Sequence, residues 1–177
     1  MPEVRLLRTP EVPPELLVAA RDLCDRAFGD RFHDTDWDHA LGGWHALALE
    51  GAVLVAHASV VGRALEVGGR GFRAGYVEAV ATEPGRQRSG LGTLVMSQLE
   101  AVIRAETELG ALSTGAHEFY QRLGWERWRG PTYVRGDGEP VRTPEEDDAV
   151  MVLRHGPSQG LDLRAAIVCD QREGDDW

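Results

Sequence analysis

The chain has 177 residues, of which 42% are hydrophobic, so it is long enough to form one domain with its own core. Its 19 Lys and Arg residues against 29 Asp and Glu residues give a net charge of −10, which argues against a nucleic-acid partner because binding phosphates needs a basic surface. An acidic protein attracts cationic small molecules, although the same charge also simply keeps a protein soluble.

Cysteine usage and hydropathy indicate the compartment. The two cysteines, Cys24 and Cys169, are too few for a disulfide framework or a CxxC metal site. Residues 1–10 lack the apolar stretch of a signal peptide, and no apolar run approaches the roughly 20 residues of a membrane span. We therefore expect a cytoplasmic protein with reduced thiols, no metal and no membrane partner.

The first half of the chain predicts two helices followed by strands. A helix over Glu15–Phe28 carries apolar residues on one stripe and stops at Gly29. A short helix from Thr35 ends at Gly42, with two carboxylates in its first turn that suit the helix dipole. The predicted strands are Trp44–Leu49, Ala52–Val61, Arg63–Val67 as an extension or a third strand, and Phe72–Thr82.

The second half begins with a long amphipathic helix over Gly90–Leu109, which Gly110 ends. The further predicted elements are a strand at Ala111–Ser113, a short helix at Ala116–Leu123, and strands at Trp125–Val134, Ala149–Arg154 and Ala165–Asp170. This order favours an α+β (mixed α/β) fold in a single domain over residues 1–177.

The segment between Thr82 and the long helix has the composition of an anion-binding loop. Glycines at 90 and 92 let a ligand approach the backbone closely, and the free amides at a helix start attract anions. Arg86 and Arg88 add positive charge. The segment has neither a GK[ST] Walker sequence nor a GxGxxG fingerprint. The alternative is a surface turn that uses glycine only for its geometry.

Two motifs resemble those of the GNAT acetyltransferases. Gln87–Gly92 is similar to the family's [R/Q]-x-x-G-x-[G/A] pyrophosphate loop, and Ala116–Trp125 is similar to its A-x-x-F-Y-x-x-x-G-[FW] segment. The resemblance implies the GNAT fold, in which a central, mostly antiparallel sheet with flanking helices is splayed at the acetyl-CoA site. It implies acetyl-CoA as co-substrate, bound by Val80, Ala81, Gln87, Arg88, Gly90, Leu91, Gly92 and Thr93.

A narrower resemblance, to the aminoglycoside 2'-N-acetyltransferases, extends from near residue 30 to the last residue. The similar blocks, in order, are Asp34–Gly43, His45–Leu47, Gly75–Ala81, Leu109–Ser113, Arg142–Asp147 and Gly174–Trp177. They imply acetylation of the 2' amine of an aminoglycoside antibiotic, which confers resistance, and a homodimer. Arg31 occupies a position that is acidic in the family, next to Asp30, and the stretch from Ser113 to Tyr120 is short. The identity of the antibiotic therefore stays open, and a kasugamycin-type substrate is one alternative.

The chemistry needs a base, because aminoglycoside amines are mostly protonated at neutral pH and only a neutral amine attacks a thioester. The resemblance places Glu78 near the acceptor amine, and we expect it to remove the proton through a water. Tyr120 is the expected partner of the CoA sulfur, as an acid or as a hydrogen-bond donor. A backbone amide near Val80 is expected to meet the developing oxyanion. The alternatives are that Glu78 is only a structural carboxylate and that Tyr120 is only an aromatic residue of the core.

Substrate binding needs acceptors for several ammonium groups. The resemblance implies Asp30, Asp36, Glu78, Ala79, Ser113, Asp147, Asp175 and Trp177, the last through its terminal carboxylate. Without the resemblance, 145–148 would be interpreted as a solvated acidic loop. Two other functions remain open: a GNAT acetyltransferase for another small amine or a protein N-terminus, and a non-catalytic protein that sequesters aminoglycosides.

Overall fold

The computed structural model describes all 177 residues, Met1–Trp177. The residues group into two compact units, hereafter unit 1 (Met1–Val61 and Val77–Val102) and unit 2 (Gly62–Tyr76 and Ile103–Trp177). The single domain over 1–177 stays a prediction. None of the helices combines the length and the apolar character that crossing a membrane requires.

Four α-helices and ten strands form the main secondary structure. The helices are α1 Pro14–Phe28, α2 Asp34–Ala40, α3 Leu91–Glu106 and α4 His117–Arg122. The strands are β1 Glu3–Arg8, β2 Trp44–Glu50, β3 Val53–Val67, β4 Arg70–Thr82, β5 Leu109–Ser113, β6 Glu126–Arg127, β7 Thr132–Arg135, β8 Val141–Arg142, β9 Val150–Arg154 and β10 Ile167–Asp170.

The four predicted α-helices are present, and three corrections are needed, which concern two strands, the end of one helix and the continuity of another strand. β1 and β8 were not predicted. The long helix ends at Glu106 rather than Leu109, because Leu109 is needed as the first residue of β5. The run Trp125–Val134 is not one strand: it forms β6 and β7, separated by Gly130, where a Cβ atom would lie 1.9 Å from the Ala165 carbonyl oxygen.

Unit 1 is built on antiparallel strands covered by α1. β1 pairs with β2 from Glu3–Leu49 to Arg8–Trp44, and β2 pairs with β3 with a bulge between Ala48 and Leu49. The apolar stripe of α1 buries Leu16, Ala20, Leu23 and Cys24 in one cluster with β2, β3 and β4 residues. Burial of each large aliphatic side chain contributes about 1.5–3 kcal/mol, so this stripe holds the helix in place.

Unit 2 contains a mixed sheet in the order β6-β9-β5-β4-β3-β10-β7-β8. The pairs β4–β5 and β10–β7 are parallel, and β5–β9, β6–β9, β10–β3 and β7–β8 are antiparallel. Gly110 lies where β5 packs tightly, since a Cβ atom there would lie 2.9 Å from that of Leu153. The predicted mixed, mostly antiparallel sheet is confirmed.

The pairing of β4 with β5 stops before either strand ends. The parallel pairs are Ala74–Leu109, Gly75–Gly110 and Tyr76–Ala111. β5 continues to Ser113, where its residues pair with β9 on the other edge. A strand that leaves its neighbour in this way is the local feature expected of a splayed sheet.

Candidate functional site

The loop before α3 leaves a row of backbone amides without intrahelical acceptors. Leu94 donates the first intrahelical bond, to the Gly90 carbonyl at 3.0 Å, so the amides of Leu91, Gly92 and Thr93 precede the helical ladder. Gly90 has φ +86°, and a Cβ atom there would have no neighbour within 4 Å. Arg88 is exposed and has φ +63°. The loop thus combines oriented donors, open space and one exposed cation, as an anion site requires.

The other arginine of this loop is engaged within the protein. Arg86 donates to both carboxylate oxygens of Glu50 at 2.6 Å, which lowers the pKa of Glu50. Arg26 donates to Glu83 at 2.7 Å. These two pairs attach the loop to β2 and α1 of unit 1, so its conformation is set before a ligand binds.

The candidate base lies on β4 immediately before the candidate cofactor residues. Glu78, Ala79 and Val80 are half-buried, and Ala81 is in the unit 1 core. Ala79 has φ +50°, a conformation that costs a residue with a Cβ atom about 1–2 kcal/mol. The backbone therefore departs from a regular strand at the position directly after Glu78.

Two of the predicted substrate residues lie between α1 and β2. Asp36 is half-buried in α2, and its Oδ2 atom accepts a hydrogen bond from the His33 amide at 2.8 Å. One carboxylate oxygen of Asp36 thus holds the start of the helix. Asp30 is exposed in the turn between the two helices.

Tyr120 is buried in unit 2. The side chain is 7% exposed, and its ring meets those of Phe119 and Trp125 edge-on at 4.9 and 6.1 Å. Burial raises the pKa of the Tyr120 hydroxyl above its ordinary value. The hydroxyl therefore stays protonated at neutral pH and can donate a hydrogen bond.

Asp147, a predicted substrate contact, is held by protein groups. Arg142 donates to both of its oxygens, and the amide and hydroxyl of Thr132 donate to Oδ1 at 3.1 and 3.0 Å. The hydrogen bonds from Arg142 lower the pKa of Asp147, and the positive charge of the guanidinium balances the negative charge of the carboxylate. Whether Asp147 contacts substrate stays a prediction, and its observed contacts fix the acidic loop against β7.

Glu146, the residue before Asp147, was not predicted as a site residue. Its Oε2 atom accepts a hydrogen bond from the hydroxyl of Ser113, a predicted contact, at 3.3 Å. Burial, together with the charge of Asp175, raises the pKa of Glu146. Unit 2 thus brings the carboxylates of Glu146 and Asp175 together with the hydroxyl of Ser113, and we call these three residues the acidic group. The sequence offered no signal to choose Glu146 from among its acidic neighbours.

The C-terminal residues dock into unit 2. Trp177 is 4% exposed, and its indole Nε1 donates to Thr143 Oγ1 at 3.2 Å. The Arg172 side chain donates to the Asp175 carbonyl at 2.6 Å, and the Asp175 carboxylate accepts from the Trp177 amide at 3.3 Å. The tail is therefore ordered by specific bonds at the edge of the acidic group.

The cysteines are unsuited to covalent chemistry. Burial raises the pKa of the Cys24 thiol to about 12 and that of Cys169 to about 11, so both are neutral at pH 7. The structure has no group of three or more His, Cys, Asp or Glu side chains arranged to hold a metal ion.

Comparison with known proteins identifies the class. A family model described as "Acetyltransferase (GNAT) domain" matches residues 11–128. The fold is similar to the GNAT family N-acetyltransferase YhbS from Escherichia coli in complex with CoA, with TM-score 0.66, 15% identity, and 95% of this chain and 89% of that chain covered. A GNAT family acetyltransferase from Brucella melitensis in complex with acetyl-CoA has TM-score 0.62 and 15% identity, covering 93% and 94%. The protein is an acyltransferase with the GNAT fold.

A relative narrows the assignment. The chain is 43% identical over 177 residues to an aminoglycoside 2'-N-acetyltransferase of Mycolicibacterium fortuitum, covering 98% of this chain and 91% of the relative. The chain belongs to the aminoglycoside 2'-N-acetyltransferase family of GNAT acetyltransferases.

Proposed function

We propose that this protein transfers the acetyl group of acetyl-CoA to the 2' amine of an aminoglycoside. The observation that carries the proposal is the 43% identity to an aminoglycoside 2'-N-acetyltransferase over 98% of the chain. The net charge of −10 agrees with a polycationic acceptor, because the field of an acidic protein concentrates cations. A homodimer in the cytoplasm stays a prediction.

The proposed pyrophosphate site is the start of α3 and the loop before it. The amides of Leu91, Gly92 and Thr93 supply donors, and Gly90 leaves room for the coenzyme backbone. Arg88 supplies the exposed positive charge, because Arg86 is paired with Glu50. Acetyl-CoA supplies the thioester that the acceptor amine attacks.

Glu78 is the proposed base. The carboxylate takes a proton from the acceptor ammonium, directly or through a water, and leaves the neutral amine that the reaction needs. Glu78 is half-buried and lies on β4 two residues before Val80. The amide of Val80, two residues on, is the proposed donor to the oxyanion.

Tyr120 is proposed to orient the sulfur rather than to protonate it. A thiolate has an ordinary pKa of about 8.5, whereas burial raises the pKa of the Tyr120 hydroxyl beyond that of free tyrosine. Full proton transfer from this phenol to the leaving thiolate is therefore uphill. A hydrogen bond from the phenol to the sulfur still stabilises the charge that develops as the thioester opens.

Each unit offers its own acceptors for the ammonium groups of the aminosugar. In unit 1 they are Asp36 and Glu78, with Asp30 exposed nearby in sequence. In unit 2 they are Glu146, Asp175 and the terminal carboxylate of Trp177. Charge favours Glu146 over Asp147, because Arg142 neutralises Asp147 while Glu146 has only the weak Ser113 bond at 3.3 Å.

A thiol-release assay with paired aminoglycosides tests the proposal. Kanamycin B and kanamycin A differ in carrying an amino or a hydroxyl group at 2', so only kanamycin B offers the proposed acceptor. We expect free CoA to appear with acetyl-CoA and kanamycin B and not with kanamycin A. Equal turnover of both would contradict the 2' assignment, and tight binding of kanamycin B without any thiol release would indicate a sequestering protein.

A further inference from the structure

A continuous chain of hydrogen bonds crosses the interior of unit 1. The Gly42 amide donates to Thr9 Oγ1 at 2.9 Å, and Thr9 Oγ1 lies 2.8 Å from His45 Nε2. His45 Nδ1 lies 2.9 Å from His57 Nε2, and His57 Nδ1 lies 2.9 Å from the Ala79 carbonyl oxygen. Both imidazoles are fully buried. We call these four bonds the histidine relay.

The end of the relay at Ala79 fixes its direction. A carbonyl oxygen only accepts, so the proton of His57 is on Nδ1, and its Nε2 must accept from His45 Nδ1–H. His45 Nε2 is then an acceptor, and the hydroxyl of Thr9 donates to it at 2.8 Å in preference to the Gly43 carbonyl oxygen at 3.3 Å. Burial lowers the pKa of His45 to about 4 and of His57 to about 3, which keeps both neutral as this pattern requires.

The relay ends where β4 departs from regular geometry. The Ser59 hydroxyl donates to the Glu78 carbonyl at 3.3 Å, and His57 donates to the next carbonyl, that of Ala79. Successive carbonyl groups of a regular strand point to opposite edges of that strand. Here the carbonyls of Glu78 and Ala79 both accept hydrogen bonds from side chains of β3, on one edge, so β4 contains a bulge at this point. Ala79 at φ +50° is the residue that produces it.

Such a bulge needs support from its surroundings. The left-handed conformation of Ala79 costs about 1–2 kcal/mol, and a buried carbonyl that loses its donor costs about 1–3 kcal/mol more. His57 removes the second cost only while the bulge is present. Without that bond, a strand with ordinary φ at Ala79 becomes competitive, and Glu78 and Val80 on either side turn with it.

The other end of the relay is attached near α2. Gly42 lies two residues beyond Ala40, the last residue of this helix, and the ring of Trp37 in α2 packs against His57 with centroids 5.9 Å apart. The relay therefore links the segment that carries Asp36 to the strand that carries Glu78.

We propose that His57 and His45 are positioning residues for acetyl transfer: by holding the Ala79 carbonyl, they set the directions of the Glu78 carboxylate and the Val80 amide. The inference rests on the proposed function, since it concerns the alignment of the proposed base. Neither histidine contacts substrate or exchanges its proton with it. Their effect is on the geometry of the proposed base and of the proposed oxyanion donor, and it leaves the pyrophosphate loop before α3 unchanged.

Variants of His57 separate positioning from packing. His57→Leu keeps the bulk and removes the donor, so we expect kcat to fall about 10- to 100-fold, as misplacement of a catalytic group by about 1 Å does. The KM for acetyl-CoA should stay within about twofold, because the loop before α3 is held by other bonds. His57→Asn places an amide N–H near the position of Nδ1 and should restore most of the lost kcat.

His155→Asn is the matched control, because it removes a buried histidine of unit 2 that has no part in the relay. Its kcat should equal that of the unaltered protein. An unchanged kcat in His57→Leu, or equal losses in His57→Leu and His57→Asn, would overturn the proposal.

A spectroscopic measurement tests the relay without relying on turnover. Imidazole ¹⁵N NMR of the unaltered protein at neutral pH should show His45 and His57 as neutral Nδ1–H tautomers. An Nε2–H tautomer for His57 would overturn the relay even if the enzyme is active. If no aminoglycoside is acetylated by the unaltered protein, the proposed function fails together with the catalytic role, and the tautomers still report whether the relay exists.

Discussion

Mild acid is expected to destabilise the protein through His45 and His57. Burial lowers the pKa of His45 to about 4 and that of His57 to about 3, whereas each imidazole of the unfolded chain titrates near 6.5. Below about pH 6.5 the unfolded chain binds protons that the folded protein does not. The full stability is therefore present above about pH 6.5 and is lost as the pH falls toward about 4.

The size of the effect follows from the two pKa values. Each pH unit below about 6.5 costs about 1.4 kcal/mol per histidine, so between about pH 7.5 and about pH 5 each histidine costs about 2 kcal/mol and the pair about 4 kcal/mol. Typical domains have about 5–15 kcal/mol in total. The loss is thus large enough to measure by urea unfolding.

The assay compares the unaltered protein with the double variant His45→Gln, His57→Asn at both pH values. Tryptophan fluorescence reports unfolding, and the quantity of interest is the change in unfolding free energy between the two pH values. Other groups titrate in both proteins and cancel in the comparison. The variant should lose about 4 kcal/mol less on acidification. The same pH dependence in both proteins would refute the assignment of two neutral, buried histidines.

Three further predictions concern the site. Glu78→Gln should lower turnover at neutral pH by about 100-fold or more with acetyl-CoA binding unchanged, whereas Glu15→Gln, at an exposed position, should have no effect. Full activity of Glu78→Gln in steady-state assays would exclude Glu78 as the base. Gly90→Ala should raise the KM for acetyl-CoA, while Gly51→Ala, which also places a Cβ atom at positive φ in open space, should not. Equal KM values for acetyl-CoA in the two variants would argue against the loop before α3 as the pyrophosphate site. Deleting Trp177 should raise the KM for the aminoglycoside more than that for acetyl-CoA, and Trp177→Phe, which retains the terminal carboxylate, should lose less; parallel changes in both KM values would exclude the tail from acceptor binding.

Local patterns predicted most of the fold. The apolar stripe of α1 and the glycines that flank the helices are signals carried by neighbouring residues, and the corresponding elements formed where expected. β1 was missed because its partner strand β2 lies far along the chain. The break at Gly130 was missed because its cause is the backbone at Arg164 and Ala165, far along the chain.

The same distinction applies to the site. The loop before α3 and the strand bearing Glu78 are contiguous segments, and their sequence alone indicated an anion site and a candidate base. Arg142 donates hydrogen bonds to Asp147, and Ser113, 33 positions before Glu146, donates one to Glu146. Only the folded chain therefore distinguishes these two neighbouring carboxylates. The histidine relay joins Thr9, just after β1, to residues of β2, β3 and β4, and no pattern within one segment could have indicated it.

The proposed roles of the base, the oxyanion donor and the carboxylates all depend on acetylation of the 2' amine of an aminoglycoside. The most direct measurement is the NMR structure of the product formed from acetyl-CoA and kanamycin B. We expect one product, with the acetyl group on the 2' nitrogen. Acetylation at another amine, or no acetylated product at all, would contradict it.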